Sequence, residues 1–349
     1  MIAGEPIITK RVVAIKKLGQ GAMGQVQLAY VRGKNPSTRI VVAKTPLIIG
    51  DPVQDANLRH LLRRENDAAL FLGDHPNLVK GHGTAVDEET EEKCGLMEFV
   101  SGKSIEEQLT ANSGRGLEVT VVENVLRGTC AGLQHMHEVG LVHRDVKPGN
   151  IMLDESGIVK LLDFGLAAPF VDTVTNGLIV GSPAYSSPEQ LRGHELDGRS
   201  DIFSLGVSLV EMLTGRHPFV KDEDVVATMC NILLKDVPEE IMAQIPERLR
   251  GIITRMLAKD VDERYDSCND IIRALGGTVE EDEICDANRD AVDSNLDGAA
   301  EQPSAVPARP FLLGFRLYFH GIISYLADLP KLFIQVLKFF GTRIRAIER

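Results

Sequence analysis

The sequence H-R-D-V-K-P-G-N occupies residues 143–150, and D-F-G follows after a short strand-like run, beginning at Asp163. These two stretches supply polar side chains at fixed spacing. Asp145 can accept a proton from an attacking hydroxyl group, and Lys147 can neutralise the charge of a phosphate during its transfer. Asn150 and Asp163 provide oxygen ligands of the kind that Mg²⁺ prefers. The spacing therefore predicts a site for phosphoryl transfer.

The string H-R-D-x-K-P-x-N followed by D-F-G resembles the catalytic core of eukaryotic-type serine/threonine protein kinases. The alternative is an ordinary loop with scattered charges, but several independent positions would then have to match by chance. The resemblance implies an α+β fold with a β-rich lobe at residues 10–98 and a larger, mainly helical lobe at residues 101–275. It also implies ATP and Mg²⁺ as cofactors, and Asp145 and Lys147 as catalytic residues.

A glycine-rich stretch near the N-terminus reads G-x-G-x-x-G-x-V over residues 19–26. It lies between two strand-like runs, which predicts a hairpin rather than the strand–turn–helix of a dinucleotide-binding fold. Glycines let such a hairpin close over a triphosphate. A plain tight hairpin fits the pattern equally well, and only its place before the catalytic loop favours a nucleotide site. The residues predicted to contact the nucleotide here are Leu18, Gly19, Gly21, Gly24 and Val26.

The next strand-like run, Arg39–Lys44, ends on a lysine. A lysine that closes a buried strand is unfavourable unless an anion meets it. Residues 58–72 show helical periodicity, and Glu65 in the middle of that helix is the candidate partner. The alternative for Glu65 is a solvated carboxylate on the helix surface. The resemblance adds the ATP phosphates as a second partner of Lys44 and makes Lys44 and Glu65 catalytic residues.

The same strand departs from the kinase pattern. Protein kinases usually read V-A-x-K, with the alanine above the adenine, whereas Val42 has that place here and Ala43 stands next to Lys44. The segment between Gly24 and Lys44 is also a few residues longer than usual. Two outcomes are open: a bulkier roof that narrows the nucleotide pocket, or a strand bulge that restores the register.

The segment Gly95–Val100 resembles the strand that leads into the hinge between the two lobes. On this match, Met97 lies at the back of the adenine pocket, and backbone groups of Glu98 and Val100 bind the adenine edge. A methionine in a strand is most often part of the core, so the order of the motifs is what supports the assignment. Leu153, after the catalytic loop, completes the predicted nucleotide-binding residues.

Residues 181–189, G-S-P-A-Y-S-S-P-E, resemble the platform on which protein kinases hold a peptide, and this separates them from small-molecule kinases. Ser182 stands where threonine is usual and is expected to hydrogen-bond toward the catalytic loop. Glu189 is expected to form a buried bidentate pair with Arg264. Asp201 is expected to cap the backbone of the catalytic loop.

Regulation by phosphorylation is predicted from Arg144, which directly precedes Asp145 and can bind a phosphate on the segment after D-F-G. Thr173 and Thr175 are the candidate phosphorylation sites, because a phosphate there would order the segment through charge-assisted hydrogen bonds. The alternative is that these threonines belong to a polar loop and are not phosphorylated.

The resemblance also implies serine or threonine rather than tyrosine as the acceptor, because tyrosine kinases arrange the loop around Lys147 differently.

Composition agrees with a globular enzyme. The chain has 349 residues, enough for a two-lobed core and an extension, and its net charge of −12 argues against general nucleic-acid binding. Its five cysteines are scattered without a C-x-x-C pair, which indicates reduced thiols in a cytoplasmic protein and no zinc site. The first residues lack the pattern of a signal peptide.

Composition changes after residue 275. Acidic residues dominate residues 276–310, which predicts a disordered linker. Residues 311–349 carry six Lys/Arg against two acidic residues, a net charge of +4, with a polar stripe among large apolar residues. Charges interrupt every window long enough to span a bilayer, so a basic amphipathic helix lying at a membrane surface, broken near Pro330, fits this pattern better than a spanning helix. A helical pair packed on the kinase domain or on a partner protein has equal weight.

Two classes of function fit these motifs. The first is an active serine/threonine protein kinase, similar to the bacterial eukaryotic-type kinases, acting on protein substrates. The second is a pseudokinase that only binds partners. Pseudokinases typically lose the strand lysine, the catalytic aspartate or the metal-binding aspartate, whereas Lys44, Asp145 and Asp163 are all present. The active kinase is therefore favoured, and dimerisation for autophosphorylation is left open.

Overall fold

The computed structural model describes residues 11–20, 24–32, 39–164, 167–169, 182–220 and 224–276. They belong to two compact units, of which the larger contains residues up to 45 and from 62 onward, and the smaller contains residues 46–61. Thr173, Thr175, most of the predicted linker and the whole predicted tail lie outside the described residues. Within the described part of the chain, no helix combines the length and the apolar character needed to cross a membrane.

A small barrel forms the β-rich part of the larger unit. Its strands are β1 (Arg11–Gln20), β2 (Gly24–Arg32), β3 (Arg39–Pro46), β4 (Gly81–Asp87) and β5 (Lys93–Met97). The strand order is β1-β2-β3-β5-β4, and a short parallel pairing of β1 with β4 closes the barrel. Alternation along β3 buries Val41 and Ala43 in the apolar interior of the barrel. Val42 and Lys44 consequently point to the other face of the strand.

The pairing of β3 with β5 shows whether a bulge lies next to Val42. Val42 lies opposite Met97, Ala43 opposite Leu96, and Lys44 opposite Gly95, without a shift in register. A bulge would have moved the residues after it to the opposite face. Because there is none in this pairing, Val42 and Lys44 share one face of β3, and the bulkier roof stays the prediction that agrees with this register.

Helix α1 (Pro52–Phe71) begins earlier than the periodicity of the sequence indicated. The Asp51 side chain accepts hydrogen bonds from the backbone N–H groups of Val53 (2.9 Å) and Gln54 (3.0 Å), and this capping extends the helix toward its N-terminus. In the smaller unit, Asp55 accepts a hydrogen bond from the backbone N–H of Ile49 at 2.8 Å. This contact fixes the chain just before the helix.

The larger lobe is mainly helical. Its helices are α2 (Ile105–Ala111), α3 (Val119–Glu138), α4 (Pro188–Arg192), α5 (Gly198–Thr214), α6 (Val225–Leu234), α7 (Glu239–Met242), α8 (Glu247–Met256) and α9 (Cys268–Ala274). Its short strands are β6 (Gly102–Ser104), β7 (Leu141–Val142), β8 (Ile151–Asp154), β9 (Val159–Leu161) and β10 (Ala168–Pro169). Helix α5 is buried along most of its length, with α3 and α8 against it. An apolar helix buried on all sides provides a rigid centre for the lobe.

A buried ion pair joins α4 to the segment before α9, as the sequence predicted. Arg264 donates two parallel hydrogen bonds to the Glu189 carboxylate, at 2.7 and 2.8 Å, and Ser200 donates a third at 2.6 Å. Burial opposes ionisation of Glu189, but the guanidinium of Arg264 outweighs it and lowers the pKa of the carboxyl. Arg264 also donates to the carbonyls of Ala258 and Arg199, both at 2.9 Å. Its charge is therefore fully compensated despite its burial.

Candidate active site

The loop between β7 and β8 holds the carboxylate of Asp145 in one orientation. Lys147 Nζ and Asn150 Nδ2 donate hydrogen bonds to Asp145 Oδ2 at 2.7 and 2.9 Å. The backbone N–H of Ser182 donates to Oδ1 at 3.0 Å, and Lys147 also donates to Ser182 Oγ at 2.7 Å. The expected hydrogen bonding of Ser182 to the catalytic loop is therefore present, to Asp145 and to Lys147. The candidate proton acceptor and the candidate phosphate-binding cation thus lie side by side at the start of the predicted peptide platform.

Asn150 and Asp163 are the predicted oxygen ligands of a cation. The amide nitrogen of Asn150 is used by the Asp145 side chain and also by the Asp145 carbonyl, at 2.8 Å, which leaves its amide oxygen for another partner. The Asn150 carbonyl accepts a hydrogen bond from the N–H of Leu162 at 2.8 Å, and Asp163 follows directly. Among the described residues no cluster of three or more His, Cys, Asp or Glu could hold a metal. Two protein ligands suit Mg²⁺, which usually keeps water and phosphate oxygens in its coordination shell.

Lys44 is paired with Glu65 of helix α1. Its ammonium group lies 2.6 and 2.7 Å from the two carboxylate oxygens of Glu65 and 3.4 Å from Asp163. Burial alone lowers the pKa of Lys44, but the carboxylates of Glu65 and Asp163 outweigh it and raise the pKa above its ordinary value.

Burial raises the pKa of Glu65 to about 7, and the charge of Asp163 adds to the effect. The raised pKa of Glu65 favours its neutral carboxylic acid form. The raised pKa of Lys44 favours its charged form, and so an ion pair with a Glu65 carboxylate. The two short contacts between the side chains support the ion pair, because each provides a charge-assisted hydrogen bond. Lys44 therefore presents a positive charge next to Asp163.

The residues predicted to contact adenine form one apolar group. Met97 and Val100 are buried in the main apolar core, and Val42 and Leu153 pack against it. The N–H of Glu98 donates to the carbonyl of Lys80 at 2.9 Å. Of the two backbone groups of Glu98, the carbonyl is thus the one left to bind a base.

The glycine-rich hairpin is described in part. A Cβ atom at Gly24 would lie 2.4 Å from the carbonyl oxygen of Thr45, so only glycine fits there. Gly19 has open space around it, Leu18 is exposed and Val26 is half-buried. Gly21 lies outside the described residues.

Asp201, which is fully buried, holds the backbone of the catalytic loop, as the sequence predicted. Its carboxylate accepts hydrogen bonds from the N–H groups of His143 and Arg144 at 2.8 and 2.9 Å. Arg144 has a φ of +69°, a left-handed conformation that is unfavourable for a residue with a side chain. Gln190 of α4 donates to the Arg144 carbonyl at 3.0 Å. Asp201 and Gln190 together stabilise this strained peptide beside Asp145.

His137, on the last turn of α3, is a site residue that sequence reasoning missed. Its Nε2 lies 2.8 Å from Asp201 Oδ2. Burial lowers the pKa of His137, but the hydrogen bond with Asp201 outweighs it and raises the pKa to about 10. A Cβ atom at Gly198 would lie 2.4 Å from His137 Nδ1, so glycine is required there. The sequence signal was weak, because a histidine near the end of an amphipathic helix is commonly an ordinary packing residue.

With this geometry, the class of the chain follows from comparison with known proteins. Residues 12–274 match the family model described as the protein kinase domain. The chain belongs to the protein kinase family. The fold and family predicted from the sequence are confirmed by this match.

Several curated bacterial proteins are similar over this region. A probable serine/threonine-protein kinase of Streptomyces coelicolor is 34% identical over 264 residues, 73% of this chain and 38% of the relative. The serine/threonine-protein kinase PrkC of Bacillus subtilis is 33% identical over 269 residues, 76% of this chain and 40% of the relative. The serine/threonine-protein kinase PknB of Mycolicibacterium smegmatis is 31% identical over 310 residues, 83% of this chain and 48% of the relative. The chain spans less than half the length of these relatives.

The pair of His137 and Asp201 makes stability depend on pH. Folded His137 keeps its proton up to about pH 10, whereas an ordinary histidine releases it near pH 6.5. This contribution is therefore complete below pH 6.5 and falls as the pH rises toward 10, by up to about 1.4 kcal/mol per pH unit. From about pH 7 to about pH 9, the free energy of unfolding of the wild type should fall about 2–3 kcal/mol more than that of His137→Gln.

Urea denaturation at both pH values measures this difference. His194→Gln, at an exposed histidine, is the control and should behave like the wild type. Other groups that titrate in this range are common to all three proteins and cancel in the comparison. An equal loss of stability in the wild type and His137→Gln would contradict a protonated His137.

Proposed function

We propose that this chain is a protein kinase that transfers the γ-phosphate of ATP, with Mg²⁺, to serine and threonine hydroxyls of proteins. The observation that carries the proposal is the contact of Asp145 and Lys147 with Ser182. It joins the candidate proton acceptor and the candidate phosphate-binding cation to the start of the platform for a peptide. A binding module without catalysis would not need these three groups in contact.

The roles follow from charge and position. Asp145 orients the acceptor hydroxyl and takes its proton late in the transfer, while Lys147 neutralises charge on the phosphoryl oxygens. Lys44, held by Glu65, binds the phosphates of the nucleotide. Bound Mg²⁺, held by Asn150 and Asp163, would supply charge neutralisation at the transferred group. Positioning and electrostatics are the main contributions that a protein makes to this reaction.

Serine and threonine are the favoured acceptors for two reasons. Lys147 stands two residues after Asp145 and bonds to both Asp145 and Ser182. The three relatives described above are named serine/threonine-protein kinases. We therefore propose serine and threonine residues of proteins as the acceptors.

A pseudokinase is disfavoured because Lys44 and Asp163 are both present, with Lys44 Nζ 3.4 Å from Asp163 Oδ1.

Incubation with labelled ATP and Mg²⁺ tests the proposal. The wild type should label itself or a generic protein substrate, and Asp145→Asn should lower the rate roughly 10²- to 10⁴-fold because the proton acceptor is lost. The matched control is Asp67→Asn, the same chemical change at a carboxylate that is 65% exposed on α1. Phosphoamino acid analysis of the product should show phosphoserine or phosphothreonine.

Two results would count against this function. Equal labelling by the wild type and Asp145→Asn would place the activity elsewhere, and nucleotide binding without any transfer would favour the pseudokinase. Phosphotyrosine alone in the product would retain the kinase but reject the proposed acceptor.

We also propose that phosphorylation at Thr173 or Thr175 activates the enzyme through Arg144. Arg144 is next to Asp145, and its backbone is fixed by Asp201 and Gln190, so a phosphate bound by its side chain would act directly on the catalytic loop. A hydrogen bond to a charged group contributes about 1.5–3 kcal/mol. The double variant Thr173→Ala/Thr175→Ala should therefore lose at least roughly ten-fold in rate.

Phosphatase treatment provides the control for this experiment. It should lower the activity of wild-type protein that has first been incubated with ATP, and it should leave the double variant unchanged. Full activity of the double variant would exclude activation through these threonines.

We propose further that residues 311–349 attach the protein to an anionic membrane surface. Their net charge of +4 and the large apolar residues between the charges support this choice. The full chain should float with anionic liposomes in a density gradient, whereas a truncation after Arg309 should remain at the bottom. Equal behaviour of the two proteins would favour packing of the tail on protein instead.

A further inference from the structure

Glu98 and Lys160 form an ion pair that no step of the proposed reaction uses. Lys160 Nζ lies 3.0 Å from Glu98 Oε2, and the two side chains are 13% and 30% exposed. Glu98 belongs to the hinge after β5, whereas Lys160 is the central residue of β9 in the larger lobe. The pair is shielded from water more than a surface ion pair, so its attraction is less screened.

The hinge residue is held at further points. The same carboxylate oxygen of Glu98 accepts a hydrogen bond from the N–H of Lys80 at 3.1 Å, and the N–H of Glu98 donates to the Lys80 carbonyl at 2.9 Å. Lys160 reaches the Leu78 carbonyl at 3.4 Å as well. The carboxylate therefore connects the start of β4, the hinge and β9.

Strand β9 also holds the segment that joins α1 to β4. Asn77 donates its side-chain amide to the Val159 carbonyl at 2.9 Å and accepts the N–H of Leu161 at 2.8 Å. The N–H of Val79 donates to the Leu161 carbonyl at 3.0 Å. Two residues after Leu161 comes Asp163. These contacts hold β9, and with it the chain that leads to Asp163, independently of the Lys160 side chain.

We propose that Lys160 is a positioning residue for the nucleotide: through Glu98, it holds the hinge backbone in the orientation that binds the base. This inference rests on the proposed kinase function. Because the N–H of Glu98 is already used, its carbonyl must face the base for a hydrogen bond to form. Without the ion pair, the hinge peptide samples orientations that cannot bind the base. The apparent dissociation constant for the nucleotide then rises in inverse proportion to the fraction of molecules whose hinge can bind it.

A purely structural ion pair gives a different expectation. It would change the free energy of unfolding and leave nucleotide affinity unaltered in the protein that remains folded. Measuring nucleotide affinity and maximal rate separately distinguishes the positioning role from the purely structural one. An interaction that is equally strong in the ground and transition states changes KM but not kcat.

The experiment uses the full chain with Mg²⁺ and a fluorescent ATP analogue. Lys160→Met should raise the dissociation constant about five-fold, the lower end of coupling between linked sites, with kcat at saturating ATP unchanged. Lys160→Arg should retain near wild-type affinity because it keeps the charge. The control is Arg248→Met, which removes a more exposed ion pair between α8 and Glu123 of α3, 2.7 Å long, and should leave affinity unchanged.

A double-variant cycle completes the test. Glu98→Gln keeps an acceptor for Lys80 but removes the charge, and adding Lys160→Met should weaken binding no further, since both changes remove the same interaction. Additive effects, or unchanged affinity in Lys160→Met, would overturn the inference while leaving the kinase function in place. If the wild type bound no nucleotide at all, the proposed function itself would fail, and this inference with it.

Discussion

The buried carboxylate of Asp201 is the constraint on which the catalytic loop depends. It accepts hydrogen bonds from the N–H groups of two consecutive residues, one of which, Arg144, has a φ of +69°. A strained backbone conformation of this kind persists only when contacts with the surrounding structure hold it in place. Helix α5 provides the rigid support, and His137 supplies the charge that keeps Asp201 ionised in the interior. The direction of the Asp145 side chain is thus set from the core of the larger lobe.

Charge compensation explains how so many ionisable groups lie together. Lys44 faces Glu65 and Asp163, and Lys147 faces Asp145. Burial would lower the pKa of Lys44, but the two carboxylates within reach outweigh it and keep the side chain charged. Cations already charged and fixed in place can stabilise developing phosphoryl charge without reorganisation at the moment of reaction. The same arrangement that makes burial tolerable therefore prepares the site for an anionic transition state.

Sequence patterns predicted the fold and the principal contacts because each motif has a required order and spacing. The Lys44–Glu65 pair, the Glu189–Arg264 pair and the caps on the catalytic loop were all found where the motifs placed them. His137 and Gln190 were missed because their partners are distant in the chain, and a single histidine or glutamine carries no local pattern. The start of α1 was misjudged because capping by Asp51 is a matter of loop geometry rather than periodicity. The roles assigned to the site residues remain proposals that the assays above address.

The undisturbed register of β3 also bears on which small molecules the pocket can accept. Val42 faces the cleft in place of an alanine and packs against the core that contains Met97 and Val100. Its additional methyl groups fill space that stays open in a typical kinase, and close-packed regions tolerate little extra volume. A compound that binds against this face of β3 must therefore leave room for the two methyl groups that Val42 has beyond an alanine. The valine thus limits the size and shape of the small molecules that can pack against this strand.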